Sequence, residues 1–391
     1  MRSPAGHGSL PHSGDRRDEG HRRARVLALD WLRGLVMILM TVDHASGVFN
    51  AGRLMTDGTA LYRPGTPLPA AQFLTRWMTH LCAPTFVFLA GSALALSVEK
   101  RRAAGESARA IDGFILTRGI LLIALDPLWM SPVFTPGHVL LQVLYAIGGG
   151  LVAMVALRRL SAAWLAGLGF AFIIGGDAFT ALGLAASGGA PGVPLALLLT
   201  GGRFGRWIVG YPLLPWLAVM MLGWAFGRHL GTAPRAVLVR QVLVAGVLAL
   251  TAFVAVRGLN GYGNMALLRE DGSLVQWLHV SKYPPSLSFI ALELGLAALC
   301  LAAFLRMDRQ APAIVHRALQ PLAVLGQTAL FFYLLHVHVL TLAAYLLGAG
   351  HRGGLAETYV AAFVAVVVLY PVCRWYRGYK AAHPNGWPRY V

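Results

Sequence analysis

Asp43 and His44, adjacent in the chain, and Arg76 and His80, four residues apart, are the residues whose types and spacing best suit group transfer. A neutral imidazole near a carboxylate serves as a base or an acyl acceptor, and a guanidinium offers N–H donors to an anion or a developing oxyanion. Arg33 and Arg118 lie inside apolar runs of their own, where an arginine can clasp phosphate without changing its protonation. A charge at bilayer depth costs on the order of 2.5–3.5 kcal/mol, so such side chains face a bundle interior or a wet cavity.

Helices must position these groups. The segment ALDWLRGLVMILMTVDHASGVF, from Ala28 to Phe49, is long enough to span a membrane and carries Asp30, Arg33, Asp43 and His44. A helix turns about 100° per residue, so Arg33 and His44 share one stripe, roughly 16 Å apart along the axis. That is about half of a hydrocarbon core about 30 Å thick. Asp30 with Arg33 reads either as an interfacial ion pair anchoring the helix or as part of a binding site. In the next apolar run Arg76 and His80 stack on one helical face, and Pro84, a turn further on, predicts a kink that frees carbonyls beside them.

With 57% hydrophobic and 13% charged residues over 391 positions, the chain reads as an all-α, polytopic membrane bundle. Apolar runs predict about ten spans (nine to eleven), at 28–48, 70–97, 112–130, 137–157, 162–183, 208–228, 236–256, 286–305, 321–347 and 354–376. The interrupted stretch 184–207 is a candidate re-entrant segment. Residues 1–27 read as a disordered basic cytoplasmic tail, 28–376 as one membrane domain, and 377–391 as a short basic tail. If the amino terminus is inside, inner segments hold 22 of the 33 Lys and Arg and outer segments hold 8, which predicts cytoplasmic termini. The net charge of +17 is scattered over short loops, a pattern of topology determinants and not of nucleic-acid binding. Cys82, Cys300 and Cys373 show neither CxxC spacing nor an even set for disulfides.

Alternating span directions bring Asp43, His44, Arg76 and His80 into the outer half of the membrane. Neighbours on a helix diverge by about 100°, so Asp43 is better placed to reach His80 than His44. The expectation is an Asp43–His80 central pair, with His44 nearer the acceptor entrance and Arg76 holding an anionic group or carbonyl oxygen of the acceptor. The ninth span adds Gln327, Tyr333, His336 and His338; the two histidines point about 200° apart and cannot share a metal, and none is expected. His336 reads as a histidine bonded across helices or as a substrate contact. Tyr211 with Pro212 and Lys282 with Tyr283 precede the sixth and eighth spans as rigid aromatic rims for an external ligand.

The pattern RxLxLDxLRGLxxxxMxxDH, followed by RWMTHLCAPTFVFLAG, resembles bacterial membrane proteins related to heparan-α-glucosaminide N-acetyltransferase. The likeness continues through LLQVLYAIG, YPLLPWLAVMMLGWAFG, VSKYPPSL, LGQTALFFYLLH and LYPVCRWY, so it touches nearly every span from Arg25 to Tyr376. It implies a multispanning acyltransferase of the bacterial cytoplasmic membrane. Such an enzyme takes acetyl from cytoplasmic acetyl-CoA and delivers it to an amino sugar or other envelope glycan on the far side. The lysosomal relative uses a histidine just after its first span, and this chain has none between Ala45 and Thr79, so His44 or His80 takes that place. On this reading Arg33 and Arg118, with Asp30, hold the CoA end, and His44 or His80 with Asp43 acts on the acyl group. A proton-coupled transporter using Asp43, His44, Arg76 and His80 is the rival, with paired halves and broken helices as its signature. A non-catalytic membrane partner is the third reading, and the oligomeric state, a homodimer included, is left open.

Overall fold

The computed structural model describes residues 26–391; the expected amino-terminal tail lies outside them but for its last two residues. Twelve helices frame the site: α1 Leu27–Phe49, α2 Ala70–Met78, α3 Cys82–Ala103, α4 Ala108–Leu125, α5 Val143–Leu157, α6 Ala162–Ala186, α7 Leu213–Leu230, α8 Arg235–Leu259, α9 Leu287–Gln310, α10 Gln320–Gln327, α11 Ala329–Leu347 and α12 Leu355–Ala382. Among the described residues, seven helices are long and apolar enough to cross a membrane, α2 and α3 counting as one. Serine side chains start three of the long helices: Ser107, Ser161 and Ser286 accept from the backbone N–H three residues on, satisfying donors that a helix leaves unpaired.

α1 is the axis of the bundle and packs against α3, α9, α10, α11 and α12. More than half of its apolar window is buried, against 17% for α6 and 22% for α8 and α12, so those three turn most of their surface outward. At the crossing of α1 and α10 the two backbones touch. A β-carbon on Gly34 would lie 2.0 Å from the carbonyl oxygen of Leu322, and one on Gly326 would lie 1.9 Å from that of Asp30.

The expected second span breaks into α2 and α3 at Thr79–Leu81. Pro84 lacks an N–H and its ring excludes the carbonyl of the residue four before it, which is His80; the break therefore falls on the histidine itself. The expected ninth span is divided too, at Thr328. The fourth and sixth spans start later than expected, because their first residues form a small sheet. In it β1 Val139–Leu141 pairs in parallel with β3 Trp207–Val209, which pairs antiparallel with β2 Gly202–Phe204. Asp126 joins this sheet to α5, its Oδ2 accepting from the N–H groups of Gln142 and Tyr145 at 2.7 Å each. The interrupted stretch folds as a short helix at Val193–Leu195, a π-helical turn at Ala196–Thr200 and the β2–β3 hairpin. α12 runs past the expected boundary at 376, and the chain then turns back, with Tyr390 stacked on Phe114 at 5.4 Å and Trp387 against Tyr376 at 6.1 Å.

Candidate functional site

Arg76, on α2 and 5% exposed, is the centre of a buried ion cluster. Its Nη1 donates to Asp43 Oδ1 at 2.6 Å, and its Nε and Nη2 donate to Asp57 Oδ2 at 2.8 and 2.5 Å. Arg53 Nη2 is a second cation on Asp43, at 2.9 Å, and Arg53 Nη1 donates to the Asp43 carbonyl. Burial pushes the Asp57 carboxyl up, but Arg76 and His80 outweigh it and hold the group far below the usual carboxylate range. The donors expected to receive an anionic acceptor are thus taken by two internal carboxylates.

The carboxylate beside His80 is that of Asp57, 3.3 Å from Nε2 without hydrogen-bond alignment; Asp43 is engaged by the two arginines. The expected pairing of Asp43 with His80 gives way to this arrangement because Arg76 stands between two carboxylates and aligns with both. Asp57 comes from the 50–69 loop, which a second loop pins in place. Lys282 and Tyr283 donate their backbone N–H groups to Asp57 O at 2.8 and 3.1 Å, and His279 Nε2 donates to Thr56 O at 2.8 Å. Gly58 is required at this contact, since a β-carbon there would lie 2.3 Å from Tyr283 O. The second loop is itself tied by Arg257, which is fully buried and donates to five oxygens, of Trp277, Asn264, Leu267, Gln276 and His279. Lys282 lies beneath the aromatic rim, 5.3 Å from the Tyr283 ring and 6.0 Å from that of Tyr211. Glu293 on α9 is buried, with one carboxyl oxygen unpartnered among the described residues.

His44 belongs to a different neighbourhood. Its Nδ1 lies 2.6 Å from His336 Nε2, the rings stack at 4.9 Å, and Phe134 stands edge-on at 4.9 Å. His336, fully buried on α11, is bonded across helices as one of its two readings anticipated. Tyr333, one turn before it, places its ring 6.4 Å from that of His44 and leaves its hydroxyl buried without a partner among the described residues.

Tyr333 also lines a cavity of about 640 Å³ that Arg33 on α1 borders as well. Four cationic side chains line it, Arg33, Arg118, Arg377 and Lys380, with no acidic side chain among the lining residues. Its remaining walls are largely apolar, including Met37, Phe86, Leu122 and Leu144. Arg33 lies 3.4 Å from Asp30 and 3.3 Å from Gly326 O, and Gln327 donates to Asp30 at 3.2 Å; the interfacial ion pair and the cavity wall coexist. Arg118 leaves its Nε buried and unpartnered among the described residues. Such a cavity has the size of a small-molecule site, with four cationic side chains and a largely apolar wall around one space.

Sequence reasoning missed Asp57, Arg53, Arg377 and Lys380. Only a prediction that the 50–69 loop folds back onto α1 and α2 could have found the first two, and the last two carried a signal read as topology.

A helical membrane protein in which a cationic cavity is walled by Tyr333, the neighbour of a half-buried His44 bonded to a buried His336, is the class that fold and site define. The family model described as heparan-alpha-glucosaminide N-acetyltransferase, catalytic, matches residues 25–262, and the chain belongs to that family. It is a family of membrane acetyltransferases that use acetyl-CoA as donor. The match holds Asp43, His44, Asp57, Arg76, His80 and Arg118, and ends before Lys282 and His336. No curated protein matches the chain.

Proposed function

We propose that this protein takes an acetyl or short acyl group from acyl-CoA in the Arg33 cavity and transfers it to an amino sugar or other envelope glycan at the opposite face of a bacterial cytoplasmic membrane. One observation carries the reading: Tyr333 is both a wall of the cationic cavity and a neighbour of the His44 ring, so donor site and base adjoin. Arg118, Arg33, Arg377 and Lys380 hold the CoA phosphates, the first two as phosphate clasps. The acceptor amine attacks the thioester carbonyl carbon and gives its proton to His44 as the N–C bond forms. The C–S bond then breaks, and the departing thiolate takes that proton. Asp43, Arg53, Asp57, Arg76 and His80 hold the framework, and Lys282, Tyr283 and Tyr211 border the acceptor.

The test uses purified protein in nanodiscs with acetyl-labelled acetyl-CoA, with and without amino sugars and envelope glycans. Labelled acceptor with matching release of CoA thiol is expected; absence of both CoA binding and transfer overturns the proposal. The two broken spans, at Thr79–Leu81 and Thr328, favour a transporter as the second reading, and solute uptake without acyl-CoA consumption would select it. The proposal also puts both termini in the cytoplasm. Thr59→Cys, on an exposed stretch of the 50–69 loop, then reacts with an impermeant maleimide added outside, and labelling only from the inner side reverses the topology.

A further inference from the structure

His336 holds its proton position by contacts that leave no choice. Its Nδ1 lies 2.8 Å from Tyr333 O and 3.1 Å from Phe332 O. A carbonyl oxygen only accepts, so Nδ1 carries hydrogen. The ring is fully buried, with no acidic side chain bonded to it among the described residues, so a charge on it is unfavourable. A neutral ring protonated at Nδ1 has a lone pair at Nε2. That lone pair lies 2.6 Å from His44 Nδ1, which must therefore donate. In neutral His44 the remaining lone pair is then on Nε2, the one ring nitrogen with no partner among the described residues.

We infer that His336 is a positioning residue that locks His44 in its Nδ1-protonated tautomer, so that His44 Nε2 is the basic atom of the transfer site. The inference rests on the acyltransferase reading. The orienting group is a neutral imidazole anchored to the α11 backbone, where a catalytic histidine is more commonly oriented by a carboxylate. Asp43, next to His44 in sequence, does not do this work, because Arg53 and Arg76 hold it. The pair therefore adds no net charge at rest to an apolar interior. When Nε2 takes the acceptor's proton, the short bond lets His336 share the positive charge. His80 has no comparable arrangement, since neither of its ring nitrogens has an aligned partner.

The test combines nitrogen NMR of histidine-labelled full-length protein in nanodiscs with steady-state transfer. The His44 signals are assigned by their loss in His44→Gln. In the wild type, His44 is expected to show hydrogen on Nδ1 and a bare Nε2. His336→Leu, which removes the acceptor, is expected to give a mixture of tautomers and to lower kcat by about 10²–10⁴-fold with acyl-CoA affinity unchanged. His336→Gln can return a carbonyl oxygen near the position of Nε2, and is expected to restore the tautomer and part of the rate. Hydrogen on Nε2 of His44 in the wild type, or an unchanged tautomer in His336→Leu, overturns the inference. The NMR readout needs no turnover, so a locked tautomer in a protein that transfers no acyl group upholds the positioning and sinks the transferase reading alone.

Discussion

The Asp43 cluster and the Arg33 cavity both gather arginines inside the bundle, and they use them in opposite ways. In the cluster, Arg53 and Arg76 meet Asp43 and Asp57 directly, and little space is left between them. In the cavity, four cationic side chains border about 640 Å³ that no acidic side chain lines; Arg33 is paired with Asp30 behind the wall and Lys380 donates to Val391 O, and Arg118 keeps its Nε unpartnered among the described residues. A buried cation with matched carboxylates builds a framework, because desolvation is offset from within the protein. Cations around an open volume are arranged for an anion that arrives from outside.

The sharpest way to break this comparison is at Asp57, which accepts from two nitrogens of Arg76. Asp57→Asn removes half of the counter-charge of a buried guanidinium and is expected to lower stability by about 3–5 kcal/mol, read by thermal unfolding in detergent. A shift below about 1 kcal/mol would move Asp57 out of the framework. In the cavity the expected effect is on affinity. Arg118→Ala should weaken acetyl-CoA binding by about 1.5–3 kcal/mol, roughly tenfold to a hundredfold in Kd, with unfolding unchanged. Calorimetry with acetyl-CoA checks this, and loss of stability without loss of affinity would make Arg118 structural.

Tyr333 stands where the cavity meets the His44–His336 pair. Tyr333→Phe removes a hydroxyl with no partner among the described residues, so stability and CoA affinity are expected to hold while transfer falls by up to about tenfold, the worth of one hydrogen bond to the reacting group. An unchanged rate would limit Tyr333 to a wall. The smallest effect expected is that of mild acid on the cluster. The folded carboxyl of Asp57 is held below its unfolded value, so its stabilisation is complete above the ordinary carboxylate range, about 3.9, and is lost progressively as pH falls from there to the much lower folded value. The difference in unfolding temperature between wild type and Asp57→Asn should therefore stay flat from pH 7 to pH 5, and a gap that closes over that interval would mean a weakly held Asp57.

Much of the bundle was legible because apolar runs and helical spacing are local properties. Arg33 and His44 on one stripe of α1, and a break beside Pro84, needed only periodicity and a missing N–H; the helical face expected to carry both Arg76 and His80 did not form, because α2 ends at Met78 and His80 lies in the break. The partners of these residues were not legible. Asp57 sits in TDGTALY, a loop without periodicity, and reaches Arg76 only because a second loop, knotted around Arg257, presses it there. His44 meets His336 across 292 residues, a separation no spacing rule spans. The three-residue strands were invisible for another reason: they are too short for alternation to show. Arg377 and Lys380 carried a signal, but charges at the end of a membrane helix fit the positive-inside pattern as well as they fit a phosphate.

Gly34 and Gly326 set a condition on how the protein works through time. Where they cross, α1 and α10 touch backbone to backbone, with no layer of side chains that could slide or change rotamer to let one helix rock past the other. α1 carries both Arg33 and His44, so the distance between the two ends of the reaction path is built into one rod clamped at its side. Opening and closing then fall to loops and side chains such as Tyr333, whose motions belong to the nanosecond to microsecond range and not to the slower range of domain hinges. On the proposed transfer, the acyl group travels through such a frame and the helices stay.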